Sequence, residues 1–145
     1  MKPFSLQPIL ELMQNRADEA TRRLADLIAN ENSAKSKFQM LQEYRDEYAS
    51  RFQQAAQKGI SQNEWHNYQE FLYRLDEAID LQGKTVGQEE RNTKAGQTHW
   101  QQQRIKLKAF DTLSQRHKTS ELELEVRREQ KIQDEFASRS KNDKD

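Results

Sequence analysis

The stretch Lys58-Gly59-Ile60-Ser61-Gln62-Asn63-Glu64-Trp65 decides the fold. Glycine at position 59 can take the left-handed backbone that closes a helix, and a new helix start follows at once. Ser61 and Glu64 have the spacing of a capping box, in which the serine hydroxyl accepts from the Glu64 amide while the Glu64 carboxylate returns to the Ser61 amide. Ile60 and Trp65 occupy the two positions of a hydrophobic staple. A stop, a box and a staple together predict a tight reversal over residues 57–62, and a single kinked helix needs none of them.

Upstream of the reversal, Met13, Ala17, Ala20, Leu24, Leu27, Glu31, Ala34, Phe38, Leu41, Arg45, Tyr48, Phe52 and Ala55 alternate steps of four and three. Eleven of these thirteen positions are apolar or aromatic, which is the pattern of a coiled-coil seam. Acid-to-base pairs four residues apart, Asp18 to Arg22, Glu19 to Arg23 and Glu47 to Arg51, support the solvent faces of the same helix. The first helix is predicted over about 6–58.

Downstream, the seam resumes through Trp65, Tyr68, Leu72, Leu75, Ile79, Gln82 and Val86, then Trp100, Leu107, Phe110 and Leu124. Its middle is weak: Gly83, Gly87 and Gly96 each cost about 1 kcal/mol relative to alanine in a helix interior, so fraying or a bend is expected there. The second helix is predicted over about 62–137, with a disordered tail over about 138–145. The chain reads as one domain of the all-α class, a long two-stranded antiparallel coiled-coil hairpin. At ~1.5 Å per residue, a second helix of ~75 residues would be roughly 110 Å long.

A turn centred near residue 60 sets residues whose numbers sum to about 120 opposite each other. Trp100 then falls against Ala20 and Ala17, Gln82 near Phe38, and Glu31 against Glu89 in a polar layer. Residues beyond about 115 have no partner in the chain. An isolated charged helix is marginal in water, so this segment is expected to firm up on another protein.

Composition agrees with a seam rather than a thick core. Of 145 residues, 33% are hydrophobic and 33% charged, and the mean hydropathy is −1.22. A helical seam needs only about two apolar residues in seven, whereas low hydrophobicity without regular spacing would indicate disorder. Lys and Arg number 24 and Asp and Glu 24, with no basic stripe to hold a phosphate backbone or an acidic membrane. Cysteine is absent, so no disulfide or thiolate chemistry arises. The first thirty residues hold no apolar run of secretory length, nor does any stretch reach ~18 apolar residues, so a cytoplasmic location is expected.

Chemistry is harder to find. His66, His99 and His117 lack the four-residue ligand spacing of a helical zinc site. Gly83-Lys84-Thr85 ends like a phosphate-binding loop, but the earlier glycine would fall on Ala78 and no strand precedes it. Neither a catalytic residue, a metal nor a cofactor is predicted. Aromatic residues instead crowd the turn end, and with Tyr48, Trp65 and Tyr68 in the seam, Tyr44, Phe71 and Tyr73 must lie on its flanks. Flanking rings are equally compatible with a docking patch and with local packing around the tip.

The residues Tyr44-Arg45-Asp46-Glu47-Tyr48, then Gly59-Ile60, then Asn63-Glu64-Trp65-His66-Asn67-Tyr68-Gln69-Glu70-Phe71 resemble the FliJ family of flagellar export proteins. Leu75, Ala78-Ile79, Thr112-Leu113, Arg116, Asp134-Glu135-Phe136-Ala137 and Arg139 extend the resemblance over nearly the whole chain. Heptads alone make unrelated proteins look alike, but Asn67 and Gln69 lie outside the heptad positions. The resemblance implies a hairpin shaped like the central-stalk γ subunit of rotary ATPases. It implies a non-enzymatic component of the flagellar type III export apparatus that promotes assembly and activity of a ring of the export ATPase FliI. Contacts with the export gate protein FlhA and with export chaperones are also implied, at the cytoplasmic face of the inner membrane at the flagellar base. The family's gate-binding surface falls on Leu41, Tyr44, Tyr48, Phe71, Leu75, Ala78 and Gln82, of which Gln82 departs from the family pattern. The ATPase contact is expected at the chain ends, with Leu124, Arg127, Arg128, Lys131, Ile132 and Phe136 in the unpaired stretch. Gly59, Ile60, Ser61, Glu64 and Trp65 are the structural turn. A general coiled-coil scaffold or chaperone of a related secretion system is the alternative. That reading predicts self-association through the seam, whereas the export reading predicts a monomer.

Overall fold

Gly59 has φ +87°, a conformation that side chains rarely adopt, and its amide donates to the Ala56 carbonyl at 3.2 Å. That geometry ends helix α1 (Gln7–Lys58) and leaves three residues before helix α2 (Gln62–Asn142). The Ser61 hydroxyl accepts from the Glu64 amide at 3.1 Å, and the Ser61 carbonyl accepts from the Trp65 amide at 3.0 Å. A computed structural model describes residues 5–142, and among them there are two helices packed as an antiparallel hairpin and no strand. Contacts divide it into two units, Glu19–Gln101 and a second drawn from Met1–Asp18 and Gln102–Asp145.

In α1 the seam lies where the step pattern puts it. All thirteen positions from Met13 to Ala55 are buried or half-buried, with Met13, Ala17, Ala20 and Ala34 the most deeply covered. Glu31 and Arg45 are tolerated because each is paired. Lys35 lies 3.7 Å from Glu31 and 3.9 Å from Glu90, and Arg45 Nε donates to Asp76 at 2.9 Å. The polar layer expected between Glu31 and Glu89 therefore carries a lysine, and it involves Glu90 as well as the half-buried Glu89.

In α2 the seam differs from the predicted one at three places. Trp65 is 43% exposed, and Leu124 is 49% exposed, so neither belongs to it. Trp65 sits in the first turn of α2, above the last ring of α1, and can only lean on Phe52 from one side. Between Val86 and Trp100 the helix is unbroken, and Glu89, Thr93 and Gly96 take the inward positions. Polar seam residues hold because they bond to the opposite backbone: Gln82 Nε2 donates to the Ala34 carbonyl at 3.0 Å, and the Thr93 hydroxyl to the Leu27 carbonyl at 3.2 Å. The glycines are points of close approach, where a β-carbon on Gly83 would touch the Phe38 ring at 3.4 Å and one on Gly96 would run into the Leu27 side chain.

Three cross-helix pairs in Glu19–Gln101 share the register set by the turn. Arg45 with Asp76, Leu27 with Thr93 and Thr21 with Trp100 each sum to within one of 120. Trp100 is held there by a bond from its indole nitrogen to the Thr21 hydroxyl, at 3.0 Å.

The second unit continues the same step pattern through Gln103, Leu107, Phe110, Ser114 and His117, with Gln103 and Ser114 buried. From residue 118 to residue 142 every position is exposed. The disordered tail expected from about residue 138 is a correction over its described part, since α2 runs on to Asn142. No glycine or proline interrupts residues 138–142, and Arg139 and Lys141 complement the dipole of the last turn. The remaining tail positions, 143–145, lie outside the described residues.

Candidate functional site

Two surfaces stand out, one in each unit. In Glu19–Gln101, Tyr44, Tyr48 and Phe52 of α1, four residues apart, meet Trp65, Tyr68 and Phe71 of α2 near the turn. Phe71 packs on Tyr48 with ring centroids 4.4 Å apart and meets Tyr44 edge-on at 6.3 Å. Tyr68 lies between Tyr48, at 5.3 Å, and Phe52, at 5.2 Å, and Trp65 closes the row 6.5 Å from Phe52. Such tilted and edge-on pairs each add about 0.5–1.5 kcal/mol beyond the area they bury.

The row sorts the seven residues expected at an export-gate surface. Leu75 is buried, while Leu41, Tyr48, Phe71, Ala78 and Gln82 are half-buried. Tyr44 alone among them is exposed, at 47%. Phe71, expected on the flank, is drawn inward because Tyr48 and Tyr44 cover both its face and its edge. Tyr73 remains a flank residue, 64% exposed, and its phenol donates to Glu77, which raises its pKa through that bond and the carboxylate charge. Gln82 is committed to the Ala34 carbonyl. Burial pushes the Tyr48 phenol up from its ordinary range, with smaller contributions from Tyr68 and Tyr44.

The other surface is the solvent-covered end of α2. Steps of four residues place Leu124, Arg128, Ile132 and Phe136 along one stripe, with Arg127 and Lys131 beside it. Exposure rises from 49% at Leu124 to 65% at Ile132 and 74% at Phe136. A helix whose apolar stripe faces only water has the form of half an interface. Among the described residues, no group of three His, Asp or Glu side chains could hold a metal ion, and Gly83-Lys84-Thr85 lies inside α2.

The sequence reading placed Glu89 opposite Glu31 but not Thr93, Gln103, Ser114 and His117 in the seam, and it did not bring out the exposure of Ile105 and Leu113. The signal for the first group was present: continuing the four-three steps beyond Val86 without regard to residue type lands on each of them.

A model of the family described as the flagellar FliJ protein matches residues 1–144. The chain is 29% identical to the flagellar FliJ protein of Escherichia coli (strain K12) and 30% identical to that of Salmonella typhi. Each match spans 136 residues, 94% of this chain and 92% of the relative. The flagellar FliJ protein of Buchnera aphidicola is 23% identical, over 94% of this chain and 88% of that one. Among solved structures, a YscO homologue from Chlamydia trachomatis is similar with a TM-score of 0.48 and 16% identity, covering 95% of this chain and 94% of that one.

Proposed function

As the chain belongs to the flagellar FliJ family, we propose that it acts as a non-enzymatic component of the flagellar type III protein export apparatus. In this reading the end of α2 binds the export ATPase FliI and promotes assembly and activity of its ring. Leu124, Ile132 and Phe136 supply the apolar contact, and Arg127, Arg128 and Lys131 supply a polar margin that keeps it reversible. Tyr44, with the half-buried Leu41, Tyr48, Phe71, Ala78 and Gln82 and the buried Leu75 behind it, forms the face toward the export gate protein FlhA. Export chaperones are the third class of partner. The protein would work at the cytoplasmic face of the inner membrane at the flagellar base, held there by these partners. Among the described residues no helix is long and apolar enough to cross a membrane, which agrees with attachment through other proteins.

The observation that carries the reading is the stretch 118–142, helical throughout and exposed at every residue. A charged helix in water gains most of its stability by packing, so a segment of this kind is stabilised by whatever covers it. A seam satisfied between the chain's own two helices favours a monomer in isolation.

ATP hydrolysis by the cognate export ATPase, with the full chain and with a chain truncated after His117, tests the proposal. Stimulation by the full chain and its loss on truncation are expected, with unfolding stability changed by less than about 1 kcal/mol, because residues 118–142 are exposed throughout and the ion pair lost, Glu121 with His117 at 3.7 Å, lies at the surface. No stimulation by the full chain, where the ring forms, overturns the ATPase role.

A further inference from the structure

Outside the surfaces described above, α2 carries a second exposed stripe, part apolar and part basic. Ile105, Ala109, Thr112 and Arg116 follow each other in steps of four, three and four, the spacing of a coiled-coil seam, yet all four face solvent. Ile105 is 69% exposed and Leu113 49%. These two side chains line a shallow depression together with the small Ala109 and Thr112 and the basic Lys108 and Arg116. A neighbouring cleft shares Ile105 and Lys108 and reaches across to Leu10 and Gln14 of α1. The stripe lies wholly within the unit formed by residues 5–18 and 102–142.

Charge distinguishes this stretch from the rest of the chain. Over residues 102–118, Arg104, Lys106, Lys108, Arg116 and Lys118 stand against Asp111 alone, in a protein whose formal net charge is zero. Among the described residues, Lys108 and Arg116 enter no ion pair. Lys108 lies one turn from both Ile105 and Thr112, so its ammonium flanks the stripe, in the place where coiled coils carry the charges that choose a partner.

We infer that the Ile105–Arg116 face of α2 is a docking groove for a third helix, contributed by another protein and amphipathic, with leucine-type residues flanked by Glu or Asp. The small Ala109 and Thr112 let a helix approach closely, Ile105 and Leu113 supply its apolar contact, and Lys108 and Arg116 pair with its acidic flanks. A nucleic acid fits less well, because beyond Lys108 and Arg116 the lining is Ile105, Ala109 and Leu113, which offer nothing to a phosphate. The segment just downstream, with Glu121, Glu123 and Glu125, continues the same helix and cannot fold back onto the groove without breaking it.

The test uses the full chain and two designed helical peptides with the same leucine stripe, one flanked by Glu and one by Lys. Binding is read by fluorescence anisotropy at low and high salt. The Glu-flanked peptide is expected to bind, more weakly as salt rises, and the Lys-flanked one to bind at least about tenfold less well. Lys108→Glu with Arg116→Glu should cost the acidic peptide about tenfold or more, since attraction at the rim becomes repulsion. Ile105→Ser should weaken it several-fold, whereas Ile132→Ser on the other stripe should leave it unchanged. All these side chains are exposed, and circular dichroism checks that each variant folds. Absence of binding, equal binding of the two peptides, or loss on Ile132→Ser instead would overturn the inference. So would displacement by a single-stranded oligonucleotide, or a mass showing that a second copy already occupies the groove.

Discussion

Gly96 faces Leu27 so closely that a β-carbon at position 96 would run into the Leu27 side chain, whereas a β-carbon on Gly87 would touch only the flexible end of Arg91, at 3.5 Å. The two glycines thus have different roles in one helix. Gly87→Ala is expected to stabilise the hairpin by about 1 kcal/mol, the propensity difference alone. Gly96→Ala gains the same propensity but forces Leu27 off its position at a cost of about 1 kcal/mol, leaving little net change. Repeating Gly96→Ala in a Leu27→Ala background should restore the gain, so urea unfolding of the cycle reads the contact directly.

Gly59 has nothing within 4 Å of its β-carbon position, so a substitution there meets backbone strain and no clash. Gly59→Ala should destabilise by about 1–2 kcal/mol, and Gly59→Asn by less, because asparagine tolerates the left-handed region. Thermal unfolding of both variants separates this from a packing effect, which would make the larger asparagine worse.

Tyr44 and Tyr48 touch the same Phe71 ring from different depths. Tyr48→Ala should cost about 2 kcal/mol or more, since it opens the centre of the ring row. Tyr44→Ala should cost less than about 1 kcal/mol while reducing binding to the gate protein. If the two variants lose gate binding only in proportion to their stability, the rings serve packing and not docking.

Burial raises the Tyr48 phenol pKa. The folded state therefore holds that proton more tightly than the unfolded chain, whose tyrosines ionise near pH ~10. The Tyr48 contribution is complete below that pH and is lost as pH rises through the folded value. Tyr48→Phe should remove part of this alkaline weakening, seen as a smaller drop in urea midpoint between about pH 8 and pH 11 than in the parent chain.

How far the sequence could be read depended on whether the seam was written in apolar residues. In α1 it was, and the steps from Met13 to Ala55 correspond to the covered face position by position. In α2 the covered face passes through Gln82, Glu89, Thr93 and Gln103, polar residues that an apolar pattern does not mark. Gln82 and Thr93 sit there by bonding to carbonyls across the hairpin, whereas the buried Gln103 Oε1 has no partner among the described residues. Trp65 was misplaced for the opposite reason: a large aromatic at a seam position, in a turn too close to the end of the partner helix to be enclosed. The exposure of residues 118–142 followed from simple arithmetic on the turn position. The outer groove was invisible because Ile105 and Leu113 belong to no seam, and only the fold reveals which side they face.

The bonds from Gln82 to the Ala34 carbonyl and from Thr93 to the Leu27 carbonyl have a mechanical meaning. Apolar heptads look alike after a slip of seven residues, so a purely greasy pair of helices can slide along itself at modest cost. A slip here would pull both donors off the carbonyls they now reach and unseat the Leu27 side chain from the notch at Gly96 in one movement. Axial shear within Glu19–Gln101 is therefore latched, and load applied along one helix is taken up by its neighbour instead of being lost as creep.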